Sequence, residues 1–173
     1  MKTLLDQQQM SLAVKRLANQ VLENHVQMEN TVIIGIQPRG IFLSDRIVAA
    51  IHAEIATAFF YGKLDITFYR DDIRKELHMP NQTDISFSIE GKKVVLIDDV
   101  LYTGRTIRAA LDALMDFGRP EKVELLALID RRYSRQLPIQ PNYTGRVIDS
   151  IVSQKVKVLW NEKDKKDEVI LVD

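Results

Sequence analysis

The 173-residue chain contains no cysteine, which excludes disulfides, thiolate metal sites and a cysteine nucleophile. Glycine and proline are sparse, at 7 and 5 residues. No flexible linker or low-complexity tract divides the chain, and a single domain over 1–173 is predicted. No stretch approaches the ~18 consecutive apolar residues that a membrane helix needs. Lys+Arg and Asp+Glu are both 24, so no global charge advertises nucleic acid or an anionic membrane. The only histidines are His25, His52 and His78. They form neither a metal-spaced cluster nor a Ser/His/Asp set. The stretch MKTLLDQQQMSLAVKRLANQ turns polar after two leucines and lacks the apolar run of a secretory signal. A cytoplasmic protein is predicted.

What is present is a globular composition, 46% hydrophobic and 28% charged, with strand and helix patterns in alternation. From Gln7 to Asn24 the residues Met10, Val14, Leu17, Ala18, Val21 and Leu22 follow a helical period. TVIIGI (Thr31 to Ile36) reads as a strand ending in the loop QPRG, and Ile41 to Ile55 as a helix. LDITFYR (Leu64 to Arg70) alternates Leu64, Ile66 and Phe68 with polar neighbours and predicts a half-buried strand. Asp71 to Asp84 predicts a long, mobile loop of the kind that is usually functional or disordered. KVVLI (Lys93 to Ile97) predicts a buried strand, and Thr106 to Phe117 a helix stopped by Gly118 and Pro120. Val123 to Asp130, Val156 to Trp160 and Glu168 to Val172 read as further strands. Such alternation implies an α/β fold with a mainly parallel sheet. His25 near a helix end and His52 within a helix are expected to be surface or dipole-facing residues.

The stretch VVLIDDVLYTGRT (Val94 to Thr106) carries the chemistry. Asp98 and Asp99 follow a buried strand, and ligands of open α/β sheets bind beyond the carboxyl ends of strands. Thr103-Gly104-Arg105-Thr106 then enters a helix whose unpaired N–H groups and positive dipole end favour a phosphate. Two carboxylates would repel that phosphate, so they are expected to face a sugar diol or hold Mg²⁺. The combination reads as a ribose 5-phosphate with a metal. The bland alternative is an acid pair solvating a strand end with Thr as an ordinary helix cap. The segment is neither a Walker P-loop nor a GxGxxG fingerprint.

VVLIDDVLYTGRTIRAALDAL resembles the phosphoribosyl-pyrophosphate (PRPP) motif of type I phosphoribosyltransferases. GIQPRGIFLSDRI, LDITFYRDD, VLIDDVLYTGRT and LIDRRYSRQLPI resemble, in the same order, the PyrR family of pyrimidine-operon regulators and uracil phosphoribosyltransferases. The resemblance covers nearly the whole chain. It implies the type I fold, a parallel sheet flanked by helices, with a flexible catalytic loop and a small hood. It implies transfer from PRPP to uracil, giving UMP and pyrophosphate with Mg²⁺. Asp98 and Asp99 are then the ribose- and metal-binding acids, and Leu101, Tyr102, Thr103, Gly104, Arg105 and Thr106 wrap the 5-phosphate. Gln37, Pro38, Arg39 and Gly40 match the pyrophosphate loop, Arg39 otherwise being a surface salt-bridge residue. Arg70, Arg74 and Lys75 supply charge from the flexible loop. Backbone near Asp130 and Arg131 reads the base. No dedicated general base stands out, His78 being the one histidine in that loop.

The family also implies UMP-dependent binding of a pyrimidine-operon mRNA leader by a homodimer or larger homo-oligomer. Candidate contacts are Lys15, Arg16, Arg131, Arg132, Arg135 and Arg146. Here the chain departs from the family. DRRYSRQLPIQPNYTGR replaces the common DRGHRELPIRADYVGK, with one extra residue and no Gly-His pair. Lys15 and Asn19 stand where well-known RNA-binding members carry Thr and His. Two alternatives therefore stay open: a mainly RNA-binding attenuator that senses UMP, and a purine-base phosphoribosyltransferase.

Overall fold

The computed structural model describes residues 1–71 and 80–172. The middle of the loop predicted between Asp71 and Asp84, including Arg74, Lys75 and His78, lies outside the described residues.

The chain starts with a short strand, β1 (Lys2–Leu5), and helix α1 (Gln7–Asn24). Asp6 and Gln9 form a reciprocal capping box: Gln9 N donates to Asp6 Oδ1 at 2.8 Å and Asp6 N to Gln9 Oε1 at 3.1 Å. Two otherwise orphaned amides at the helix start are thereby satisfied. Strand β2 (Thr31–Ile36), helix α2 (Gly40–Glu54) and strand β3 (Phe60–Leu64) follow. After the loop come β4 (Lys93–Leu101), α3 (Arg105–Leu114), β5 (Lys122–Arg131) and β6 (Tyr143–Ile148). The chain closes with β7 (Lys155–Leu159), the single turn α4 (Asn161–Asp164) and β8 (Glu168–Val172).

Five strands form the main sheet in the order β3-β2-β4-β5-β6, every pair parallel. A second sheet, β1-β8-β7, is antiparallel and stands where the small hood is expected. Period-two alternation sorts the central strands between two cores. Ile33, Val95, Ile97 and Leu126 face α1 and α2, joined by Trp160 and Val169 from the hood. Val32, Ile34, Val94 and Leu96 face Ile107, Ala110, Ala113 and Leu114 of α3. Covering both faces explains why β2 and β4 read as near-continuous apolar runs. After β2 the chain crosses to β3 on one side, and after β4 to β5 on the other. The gap between the ends of β2 and β4 is thus the switch point where α/β sheets bind ligands.

Three expectations need correction. The strand expected over Leu64 to Arg70 lies earlier, at Phe60–Leu64, and Thr67–Tyr69 is a 3-10 turn. Leu64 faces Ile36, the last residue of β2, so no partner strand remains beyond it. Leu64 and Ile66 are buried as expected, whereas Phe68 is 83% exposed. Strand β4 does not stop at Ile97. It runs to Leu101 because β5 continues beside it, pairing Leu101 with Asp130. His25 is buried, not a surface residue. Its Nδ1 lies 3.0 Å from Thr31 Oγ1 and its Nε2 2.7 Å from Glu124 Oε2, while Tyr143 donates to the same carboxylate at 2.7 Å. His52 is exposed and stacks on Phe59, with ring centroids 4.7 Å apart.

Candidate active site

The end of β4 carries both acids into the sheet. Asp98 and Asp99 are 7% and 8% exposed, and Asp99 N donates to Asp98 Oδ1 at 2.9 Å. The loop Gln37-Pro38-Arg39 joins β2 to α2 through a cis Gln37–Pro38 bond, and Gln37 N donates to Leu64 O at 2.9 Å. Gly40, the first residue of α2, lies directly on the acids. A Cβ there would stand 2.7 Å from Ile97 O and 3.1 Å from Asp98 Oδ1. Only glycine lets this loop approach β4 so closely.

Arg39 Nε lies 3.5 Å from Asp99 Oδ2, and its Nη2 reaches Asp164 Oδ2 at 3.2 Å and the Val158 carbonyl. The side chain therefore spans from the acid pair to the hood, held by the ion pairs that the salt-bridge reading expects. Trp160, fully buried beside them, has an indole N–H without a hydrogen-bond partner among the described residues. Its side chain nonetheless lies close enough to Asp99 to oppose the rise of that carboxyl.

The electrostatics set these acids apart. Burial pushes the Asp98 carboxyl well above the usual carboxylate range and the Asp99 charge adds to it, against the Asp99 amide and Arg70. Burial also raises Asp99, opposed by Arg39, the Val100 amide and Trp160. Removing a carboxylate from water without full compensation disfavours its charged form. A cation brought to this pair would restore that compensation.

Beside the acids lies a cavity of about 310 Å³. Its lining includes Arg70, Asp98, Gln136 and the whole run from Val100 to Ile107. Gly104 has φ 92°, the left-handed conformation that turns the chain from strand into helix. No side chain caps α3 at Gly104, and the Thr103 hydroxyl accepts only a long 3.4 Å contact from Arg105 N. The start of α3 thus borders the cavity with no side-chain cap at Gly104 and only this long contact at Thr103, and unpaired amides at a helix start favour an anion.

Around this cavity Arg105 Nε donates to Gln136 Oε1 at 2.8 Å, and Arg105 and Arg108 both pair with Asp71, at 3.0 and 3.2 Å. Asp130 and Arg131, the residues expected near the base, are 7% and 4% exposed. Asp130 Oδ1 accepts from Arg135 at 2.6 Å. The Arg131 guanidinium lies 4.0 Å from the Tyr102 ring centroid and donates to Ser150 Oγ and the Gln154 carbonyl at 2.8 and 2.9 Å. Asp98, Asp99, Arg39, Arg70, the loop from Leu101 to Thr106 and the end of β5 thus converge.

The basic residues expected on an RNA surface are more scattered. Arg131 is buried and Arg135 half-buried, which removes both from an open basic face. Arg16 donates to Thr144 O and Gly145 O at 3.2 and 2.5 Å, and Arg146 to Leu4 O at 2.6 Å. Arg132 pairs with Asp149 at 2.9 Å and lies over Tyr133. Lys15 is exposed on α1. Trp160, Asp164, Arg135 and Gln136 were not expected at the site. Trp160 and Asp164 come from the far end of the chain, where no family motif lies, whereas Arg135 and Gln136 fall within LIDRRYSRQLPI.

Residues 1–163 match the phosphoribosyl transferase domain family. The bifunctional protein PyrR of a Picosynechococcus species is 44% identical over 170 residues, covering 98% of this chain and 96% of its own. That of Desulfosudis oleivorans is 45% identical over 169 residues, covering 96% and 93%. Among solved structures, a hypoxanthine phosphoribosyltransferase from Staphylococcus aureus superposes with a TM-score of 0.68 at 23% identity, covering 87% of this chain and 80% of that one. The hypoxanthine phosphoribosyl transferase of Trypanosoma cruzi gives 0.73 at 14% identity, covering 99% and 91%. At those identities the structural likeness speaks for the fold alone. With the family match over residues 1–163, relatives 44 and 45% identical and the sheet topology in agreement, the chain belongs to the phosphoribosyl transferase domain family and, within it, to the bifunctional PyrR proteins.

Proposed function

We propose that the chain transfers the 5-phosphoribosyl group of PRPP to N1 of uracil, giving UMP and pyrophosphate. The observation that carries this reading is the buried, raised acid pair beside an uncapped helix start. Few arrangements call at once for a cation or diol and for a phosphate. In the reaction the C1–O bond to pyrophosphate breaks as the N1–C1 bond forms, and the N1 proton leaves to solvent. Asp98 and Asp99 accept hydrogen bonds from the ribose hydroxyls. The amides and hydroxyls of Thr103 to Thr106 hold the 5-phosphate. Arg39 and Arg70, with the backbone of Gln37 to Gly40, offset charge growing on the leaving pyrophosphate. Backbone beside Asp130 and Arg131 reads the uracil edge.

Mg²⁺ fits this site. No trio of His, Cys, Asp or Glu among the described residues forms a metal cage, and Mg²⁺ is commonly held by one or two carboxylates plus substrate phosphates. Asp98 and Asp99 would hold it, and it would supply electrostatic stabilisation of the leaving diphosphate. Pyrophosphate release measured with each nucleobase tests the assignment. Turnover with uracil supports it, while inertness with uracil beside robust use of hypoxanthine would replace it with a purine-base transferase.

A second role, UMP-dependent binding of a pyrimidine leader RNA by a homo-oligomer in the cytoplasm, is favoured by the relatives' description as bifunctional. Lys15, Arg16, Arg132 and Arg146 are the side chains available to it. A filter titration against the organism's own pyrimidine leader is the direct check. Affinity no better than for a scrambled RNA, with UMP present, would remove this role. No helix among the described residues is long and apolar enough to cross a membrane.

A further inference from the structure

Arg135 sits just past the 3-10 turn that follows β5 and ties three segments together. Its Nη2 donates to Asp130 Oδ1 at 2.6 Å, its Nη1 to the Tyr102 carbonyl at 2.7 Å and its Nε to the Ile139 carbonyl at 2.7 Å. The two partners of the ion pair are only 18% and 11% exposed in their side chains, so solvent does little to loosen it. The neighbouring Thr103 carbonyl accepts from Gln136 N at 2.9 Å and Leu137 N at 3.2 Å. The phosphate loop is therefore fastened at two successive carbonyls to the segment carrying Arg135. That same guanidinium reaches on to the acid at the end of β5.

We propose that Arg135 is a positioning residue for the transfer. Its guanidinium sets the spacing between the 5-phosphate cradle and the strand end that meets the base. This rests on the reading of Thr103 to Thr106 as the phosphate cradle and of Asp130 and Arg131 as the base side. A planar guanidinium spreads its donors over three nitrogens in a fixed fork and so reaches three separated acceptors, whereas the three N–H donors of a lysine diverge from a single atom. Each half-site is built from its own backbone. Loss of Arg135 should therefore disturb their relative placement more than either half alone, and misplacement by about 1 Å costs on the order of 100-fold in rate.

The test compares wild type, Arg135→Lys and Arg135→Ala for turnover, for ribose 5-phosphate affinity and for UMP affinity. Arg135→Ala is expected to lose about 100-fold in kcat while holding ribose 5-phosphate within threefold of wild type. Its UMP affinity should fall toward that of ribose 5-phosphate, and added guanidinium ion should restore part of the turnover. Arg135→Lys should fall between. Wild-type turnover in Arg135→Ala would overturn the proposal. So would parallel loss of ribose 5-phosphate binding without rescue by guanidinium and with a similar loss in Arg135→Lys, the signature of a merely structural role. Uracil and hypoxanthine are assayed side by side. A wild type that uses only hypoxanthine retires the uracil assignment, and the Arg135 variants, with IMP in place of UMP, are then judged on that base by the same criteria.

Discussion

Near the N-terminal edge of the main sheet Glu124 is buried among His25, Lys122 and Tyr143, and at the C-terminal edge Asp98 and Asp99 are buried to the same degree. Their electrostatics run in opposite directions. Burial raises the Glu124 carboxyl, but hydrogen bonds from Lys122, Tyr143 and His25 outweigh it and bring it down to about 2. At Asp98 burial prevails, Asp99 reinforces it, and Arg70 offsets only part. The contrast teaches that burial alone does not mark a functional acid. Glu124 has its compensation built in, whereas the offsets at Asp98 and Asp99 fall short of the cost of burial.

The strongest way to break this contrast is the double replacement Asp98→Asn with Asp99→Asn. Turnover is expected to fall by roughly 10³-fold or more, with the fold intact by circular dichroism and a higher melting temperature for the ligand-free protein. Next is Glu124→Ala, expected to cost about 3 kcal/mol in urea unfolding, because removing one partner strands the others in the interior. Its kcat/KM should stay at the wild-type value wherever it is folded.

The pH dependence of stability sharpens the comparison further. Glu124 titrates near 4.5 when unexceptional and about 2 in the fold. Its contribution is therefore full above about 4.5 and is lost as pH falls through about 2. Asp98 is raised in the fold, so its penalty is in force above the raised value and is relieved as pH falls. Acidifying the ligand-free protein from neutral pH should first stabilise and then destabilise it. Asp98→Asn should shrink the first limb in denaturant titrations, Asp99 retaining the rest, and Glu124→Gln should shrink the second, to which Asp167 also contributes. The smallest effect is expected from Arg132→Ala, which breaks an exposed pair with Asp149. Stability should move by less than about 0.5 kcal/mol, and turnover with uracil should not change.

The parts of the molecule legible in the sequence are those written contiguously. Asp98 to Thr106 places strand end, acids, turn and helix start side by side, so the residues around the cavity could be read directly as a candidate site. Strands β2 and β8 also fall where their apolar runs begin and end. Strands β1 and β6, which escaped, both border their sheets, and β1 has only four residues. The first pairs with β8 across nearly the whole chain, and TGR in the second carries no apolar run. Strand β3 was misplaced because alternation from Leu64 to Phe68 is local, whereas the length of its partner β2 is not. The links of Arg39 to Asp164 and of Arg135 to Tyr102 join residues 125 and 33 positions apart. His25 likewise meets Glu124 at a separation of 99.

The central claim is that the acid pair of β4 awaits a cation together with a phosphorylated sugar. Titration calorimetry of PRPP into wild type and Asp98→Asn/Asp99→Asn, each with and without Mg²⁺, tests it most directly. Wild type is expected to bind PRPP more tightly when Mg²⁺ is present, and the double variant to lose that increment while remaining folded. A double variant that keeps the full Mg²⁺ increment would contradict the assignment of these acids.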